Sequence, residues 1–184
     1  VSARPIRLFV ALDLPAAAVA ALAAFRAAAA EPGVWRAVPD ASLHVTLAFM
    51  GPREEGAVER AGEAIREAAA PVDPPRLALA GTLLLPPRRP KVLCAALDDP
   101  DGTLATLQAR VSDALAAAGL YTPEARAFRA HVTVARLRPR ARAPRAVPAD
   151  PEPLDFTATT VTLVASRLHP SGARYEPLVR VALA

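Results

Sequence analysis

Two segments about half the chain apart carry nearly the same four residues, His44-Val45-Thr46-Leu47 and His131-Val132-Thr133-Val134. In a β-strand residues i and i+2 share a face, so each motif presents one imidazole and one hydroxyl together and turns its two aliphatics the other way, into a core. A random histidine is followed by aliphatic, threonine, aliphatic in roughly 1% of cases or fewer on ordinary compositions. Two copies in a chain with only three histidines therefore constrain the fold: two similar half-buried strands, each turning its polar face to a shared cleft. The first strand is expected over residues 43–49, with Leu43, Val45, Leu47 and Phe49 facing inward and His44, Thr46 and Ala48 outward, and Gly51-Pro52 is expected to stop it. The second is expected over residues 131–137, with Val132 and Val134 opposite His131, Thr133 and Ala135.

The remaining chain supplies elements to build around these two. Residues 6–14 are β-rich and run into Pro15, which suits the first turn of a helix over 15–30. Val58, Ala61, Ile65 and Ala68 are at helical spacing within 54–70, and Leu104, Leu107, Val111 and Leu115 form a stripe within 103–120, where Gly119 marks the end. Residues 77–85 and 92–97 read as a hairpin with the long basic tip Pro86-Pro87-Arg88-Arg89-Pro90-Lys91. Residues 138–153, crowded with Arg and Pro, read as an exposed loop, and 154–158, 160–168 and 175–183 as strands. Strands mixed with about three helices, without a regular βαβα repeat, place the chain in the α+β class.

The length of 184 residues is that of one domain, and 53% hydrophobic against 22% charged residues give a core of useful size. The net charge of +4 and an isoelectric point near 10.2 suit a polyanionic partner. Only Lys91 is a lysine, however, and an Arg- and Ala-rich composition resembles the output of a GC-rich bacterial genome, which accounts for much of that value. The single Cys94, inside an apolar run, precludes an internal disulfide and reads as a buried small residue. The Ala-rich stretch 15–30 follows a strand and contains Arg26, so it reads as a helix of a cytoplasmic protein rather than a signal sequence, and no run has the length of a membrane span. Val1 in place of Met suggests a trimmed start.

Paired imidazoles suit in-line displacement at phosphorus, where one group takes a proton from the nucleophile and the other gives one to the departing oxygen. Histidine's ordinary pKa of about 6.5 makes both forms available near neutrality, and each such proton transfer typically contributes roughly 10²–10⁴-fold. The threonine hydroxyls can donate to the phosphoryl oxygens as charge builds there. No metal or other cofactor is required by this scheme. The residues alone leave the two histidines interchangeable.

Together with these motifs, Arg7-Leu8-Phe9-Val10-Ala11-Leu12-Asp13-Leu14-Pro15, the continuation Ala48-Phe49-Met50-Gly51, Pro90-Lys91-Val92-Leu93, Ala135-Arg136, Ser166-Arg167-Leu168 and Gly172-Ala173-Arg174-Tyr175 resemble the RNA 2′,3′-cyclic phosphodiesterases, or 2′-5′ RNA ligases, of the two-histidine phosphoesterase superfamily. The resemblance spans nearly the whole chain. It implies one domain over 1–184, with two interleaved pseudo-symmetric lobes, antiparallel sheets around a central cleft and helices outside. It implies hydrolysis of a 2′,3′-cyclic phosphate at an RNA end to a 2′-phosphomonoester, with His44 as general acid on the 3′ oxygen, His131 as general base on water, and Thr46 and Thr133 as phosphate ligands. Reverse 2′-5′ ligation would be a minor activity.

Arg136 matches the family as a phosphate contact, yet strict alternation from His131 places it on the opposite face unless the strand ends or bulges. Phe9 and Tyr175 are candidates for stacking on a base, and Arg88, Arg89 and Lys91 for guiding an RNA backbone. Ala37 stands where many of the family carry tryptophan, with Trp35 two places earlier, and His169 reads as a turn residue. The implied partner is an RNA or oligonucleotide with a cyclic phosphate end, with no membrane and no obligate protein partner. Two other readings share the cleft: a phosphodiesterase of another cyclic or 2′-5′ linked nucleotide, and a non-catalytic RNA-end-binding protein. A zinc hydrolase lacks a His-Glu-x-x-His or comparable ligand cluster in the sequence.

Overall fold

A computed structural model describes residues 5–167 and 173–184. Among them run β1 (Ile6–Asp13), α1 (Ala16–Ala29), β2 (Trp35–Ala37), a 3₁₀ turn (Asp40–Ser42), β3 (His44–Arg53), α2 (Ala57–Ala69), β4 (Arg76–Leu85), β5 (Val92–Asp98), α3 (Thr103–Ala117), β6 (His131–Leu137), β7 (Asp155–Thr157), β8 (Thr160–Arg167) and β9 (Arg174–Ala182). The fold is α+β. The strands form one antiparallel sheet in the order β7-β4-β5-β6-β3-β1-β8-β9, with β2 added beside β6.

That order is nearly a palindrome about its middle. β3 and β6 are the inner strands and touch through one residue pair, Val45 opposite Val132. β1 and β5 flank them, then β8 and β4, then β9 and β7. Two four-stranded lobes thus meet at a single bridge, and the bridge lies inside both histidine motifs. α1 packs on β6 and α3 on β3, so each crossing helix leans on the other lobe's motif strand and ties the halves together.

The helices bury one stripe each, as their spacing dictates: Ala18, Leu22, Phe25 and Ala29 on α1, Ala61, Ile65 and Ala68 on α2, and Leu104, Leu107, Val111 and Leu115 on α3. Each fully buried leucine contributes roughly 1.5–3 kcal/mol of transfer free energy. Asp99 accepts the Leu104 and Ala105 N–H groups at the start of α3, and Gly119, at φ +70°, follows its end. α2 begins at Ala57 and α3 ends at Ala117, each a turn inside the span their apolar spacing predicted.

Three expectations fail at the motif strands. β3 does not stop at Gly51-Pro52 but continues to Arg53, paired with β1 along its length except at the skipped residues Leu47 and Met50. Beyond Val45 it has β1 on one side only, an edge position where the missing proline N–H is tolerated. Within β3 the register slips between Thr46 and Ala48, because Leu47 is an extra residue, and both Leu47 and Ala48 are buried. Phe49 is therefore carried to the polar face, and at 47% exposure it is the exposed large apolar side chain among the described residues. β6 repeats the device: Val134 is extra between Thr133 and Ala135, and both Val134 and Ala135 are fully buried. Each motif strand thus carries a bulge at the same place, and the residue five after each histidine, Phe49 or Arg136, returns to the histidine's face.

Candidate active site

The bulge in β6 settles the position of Arg136. It lines a small cleft together with Val38, Ser42, His44, Thr46, His131, Thr133 and Tyr175. Pairing of Val45 with Val132 sets the register, so that each histidine lies across from the other motif's threonine. At its floor the cleft has about 30 Å³, against the 10–15 Å³ that one water needs. That is room for only about two or three water-sized atoms, so the cleft is small and encloses little of any ligand.

Both imidazoles are oriented by the same contact. His44 Nδ1–H donates to the Ser42 carbonyl at 2.8 Å, and His131 Nδ1–H donates to the Arg129 carbonyl at 2.7 Å. In each case the partner lies two residues before the histidine, and Nε2 is left for chemistry. Around His44 that nitrogen accepts from the Thr46 hydroxyl at 3.1 Å. The Thr133 hydroxyl instead meets the buried Cys94 Sγ at 3.6 Å. Cys94 is buried as expected, and burial pushes its thiol up to about 11, so it stays protonated near neutrality.

The surroundings of His44 are the more enclosed. Phe9 stacks on its ring with centroids 4.9 Å apart, and Tyr175 meets it edge-on at 5.6 Å. Burial lowers the His44 pKa from its ordinary value, and the positive charges of Arg136 and His131 act the same way; the Ser42 carbonyl and Asp13 oppose them. Asp13 is His44's neighbour on β1 and is held by the Thr162 hydroxyl at 2.9 Å.

Other sequence candidates divide. Phe9 is buried, so it supports the His44 ring from below and has no face left for a base. Tyr175 does line the cleft. Arg88, Arg89 and Lys91 are exposed on the β4–β5 tip and are not among the cleft's lining residues. Trp35 is buried on β2 and cannot act as an exposed stacking surface, whereas Ala37 is exposed. His169 lies outside the described residues.

Sequence reasoning missed Phe49, whose exposed ring has the Arg7 guanidinium 5.4 Å from its centroid, because only the bulge brings it round. It also missed β2 and the 3₁₀ turn, which bring Val38 and Ser42 to the cleft. Among the described residues no three His, Cys, Asp or Glu side chains gather as a metal-ligating group. A larger cavity, about 550 Å³, lies between α2 and α3, lined by alanines and by charged residues such as Arg60, Glu67, Arg110 and Asp113. It contains neither motif.

A nearly palindromic antiparallel sheet whose two inner strands each bring a histidine and a threonine to one small cleft is the architecture of a two-histidine phosphoesterase. The chain belongs to the 2′-5′ RNA ligase superfamily, whose family model matches residues 13–170. It is 31% identical over 170 residues to an RNA 2′,3′-cyclic phosphodiesterase of Aeropyrum pernix, covering 89% of this chain and 95% of that protein. Its fold is similar to that of a Thermus thermophilus protein of known crystal structure, with TM-score 0.81, 31% identity, and 96% and 97% of the two chains covered. It is also similar to LigT of E. coli in complex with 3′-AMP, with TM-score 0.72, 27% identity, and 98% and 99% covered. Membership supports a phosphoesterase or ligase activity for this chain. Among the described residues no helix is long and apolar enough to cross a membrane.

Proposed function

We propose that the protein hydrolyses 2′,3′-cyclic phosphate ends of RNA to 2′-phosphomonoesters by general acid–base catalysis, with 2′-5′ ligation as a minor reverse activity. The observation that carries this reading is the convergence of both motif histidines, both motif threonines and Arg136 on one small cleft. With the cyclic phosphate seated there, His131 Nε2 takes a proton from a water that attacks phosphorus. The P–O3′ bond breaks on the opposite side, and the 3′ oxygen receives a proton from His44 Nε2. Thr46, Thr133 and Arg136 donate to the non-bridging oxygens as negative charge accumulates on them.

The acid role requires His44 to be protonated when substrate is bound, although burial favours its neutral form in the free protein. A phosphodiester anion in the cleft supplies the missing opposite charge: it offsets Arg136 and favours the imidazolium. Protonation then breaks the Thr46 hydroxyl's bond to Nε2 and releases that hydroxyl to the phosphate. Both proton transfers use side chains of this chain, so turnover is expected to persist in excess chelator.

The test is incubation of the purified protein, with chelator, with an RNA oligonucleotide ending in a 2′,3′-cyclic phosphate, followed by identification of the monoester. A 2′-phosphate supports the reading. A 3′-phosphate overturns the leaving-group assignment, and no product overturns the substrate.

A further inference from the structure

Arg36 and Arg136 stand directly opposite each other where β2 pairs with β6, so their side chains leave the sheet on one face. Both are exposed. Val38, two residues along from Arg36, lines the cleft as Arg136 does, while Trp35 beside Arg36 points into the core. Like charges facing each other across a ladder are destabilising. Nothing in the described part of the chain relieves this pair: the ion pairs there are Arg26–Asp40, Arg60–Glu54, Arg126–Glu124 and Arg167–Glu176. A local conflict left unpaired beside a functional cleft is where an outside group is expected to supply the compensation.

A separate basic segment adjoins the far side of β6. Arg136 faces Val92 on β5, and the carbonyl of the adjacent Lys91 accepts the Leu137 N–H at 2.8 Å. Lys91 closes the tip that carries the exposed Arg88 and Arg89. Arg36 therefore adjoins Arg136 on one side of β6, and the exposed β4–β5 tip follows on the other side, away from the cleft's lining.

We propose that Arg36 binds the backbone phosphate adjoining the reacting one, so that the cleft takes the end of an RNA chain in preference to a cyclic mononucleotide. The inference rests on the proposed function for the identity of the ligand. Arg136 contacts the reacting phosphoryl group; Arg36, one strand away at the ladder spacing of about 5 Å, presents a second planar donor fork to the next phosphate. A polyanion that bridges the two guanidiniums removes their mutual repulsion, and a mononucleotide has no second backbone phosphate to do so.

Steady-state kinetics on a cyclic mononucleotide and on a short RNA with a cyclic phosphate end, for wild type, Arg36→Gln and Arg36→Lys, test this. Wild type is expected to have the lower KM for the oligonucleotide. Arg36→Gln is expected to raise that KM about tenfold with kcat retained, the scale of one charge-assisted hydrogen bond. It should also reduce the slope of log affinity against log salt by about one, and Arg36→Lys should keep part of the advantage. An equal change on both substrates, or an unchanged salt slope, overturns the proposal. Binding of a labelled RNA ending in a 2′-phosphate, followed by anisotropy, decides the role of Arg36 separately from turnover. If wild type hydrolyses neither substrate, the proposed function fails while the binding result still supports or refutes Arg36.

Discussion

The first motif has aromatic neighbours and the second has Arg136, although both are built on nearly the same tetrapeptide with a bulge at the same place. Five residues after its histidine, one motif strand places Phe49 and the other Arg136. On the flanking strand Asp13 lies opposite His44 where Ala96 lies opposite His131, and Ala11 lies opposite Thr46 where Cys94 lies opposite Thr133. Phe9 and Tyr175 enclose His44. Repetition of His-x-Thr-x thus supplies the two groups proposed for acid–base work, and the neighbours make them unequal: one imidazole is buried and bonded to its own threonine, while the other motif's threonine meets a cysteine of the adjacent strand.

The largest expected effect tests what the halves share. His44→Ala and His131→Ala should each lower turnover by at least about a hundredfold with the fold intact, the size of a single acid–base contribution. A folded variant of either with near wild-type turnover breaks the equivalence of the motifs. Next come the hydroxyls. Thr46→Val and Thr133→Val should each cost roughly tenfold or more in kcat, because each removes one donor to the charged phosphoryl oxygens. A large loss in one variant and none in the other would confine phosphate binding to one lobe.

The smallest effect concerns the unequal environment. Because burial lowers the folded-state pKa of His44, the unfolded chain takes up its proton first as pH falls. Stability should decline from about pH 6.5 down to the folded pKa, and His44→Asn should show less of that decline in thermal melts. An NMR titration that places His44 above its ordinary value in the free protein contradicts the account of its enclosure.

Much of this was legible in the sequence because it follows from period-two alternation. His44, Thr46, His131 and Thr133 reach one cleft, β6 has the expected bounds, α3 buries its expected stripe, and α2 buries Ala61, Ile65 and Ala68 of its stripe while Val58 is half-buried. What alternation hides is an inserted residue. Leu47 and Val134 read as ordinary members of apolar strands, yet each shifts the register, so alternation alone puts Phe49 inside and Arg136 on the face away from the histidine. Phe9 was legible as an aromatic near the site but not as a support for His44, since that depends on β1 pairing with β3. β2 is too short for a periodic signal, and Arg36 gains meaning only from the register that sets it against Arg136.

In the proposed mechanism two matching histidines do opposite work. pH–rate profiles of kcat for wild type and the two alanine variants, on RNA with a cyclic phosphate end, test it most directly. Wild type should give a bell, because one imidazole must be charged and the other neutral. The residual activity of His44→Ala should lose the fall at high pH, and that of His131→Ala should lose the fall at low pH. Loss of the opposite limbs would reverse the roles, and a wild-type profile flat between about pH 5 and 8 with chemistry rate-limiting would contradict the two-histidine mechanism itself.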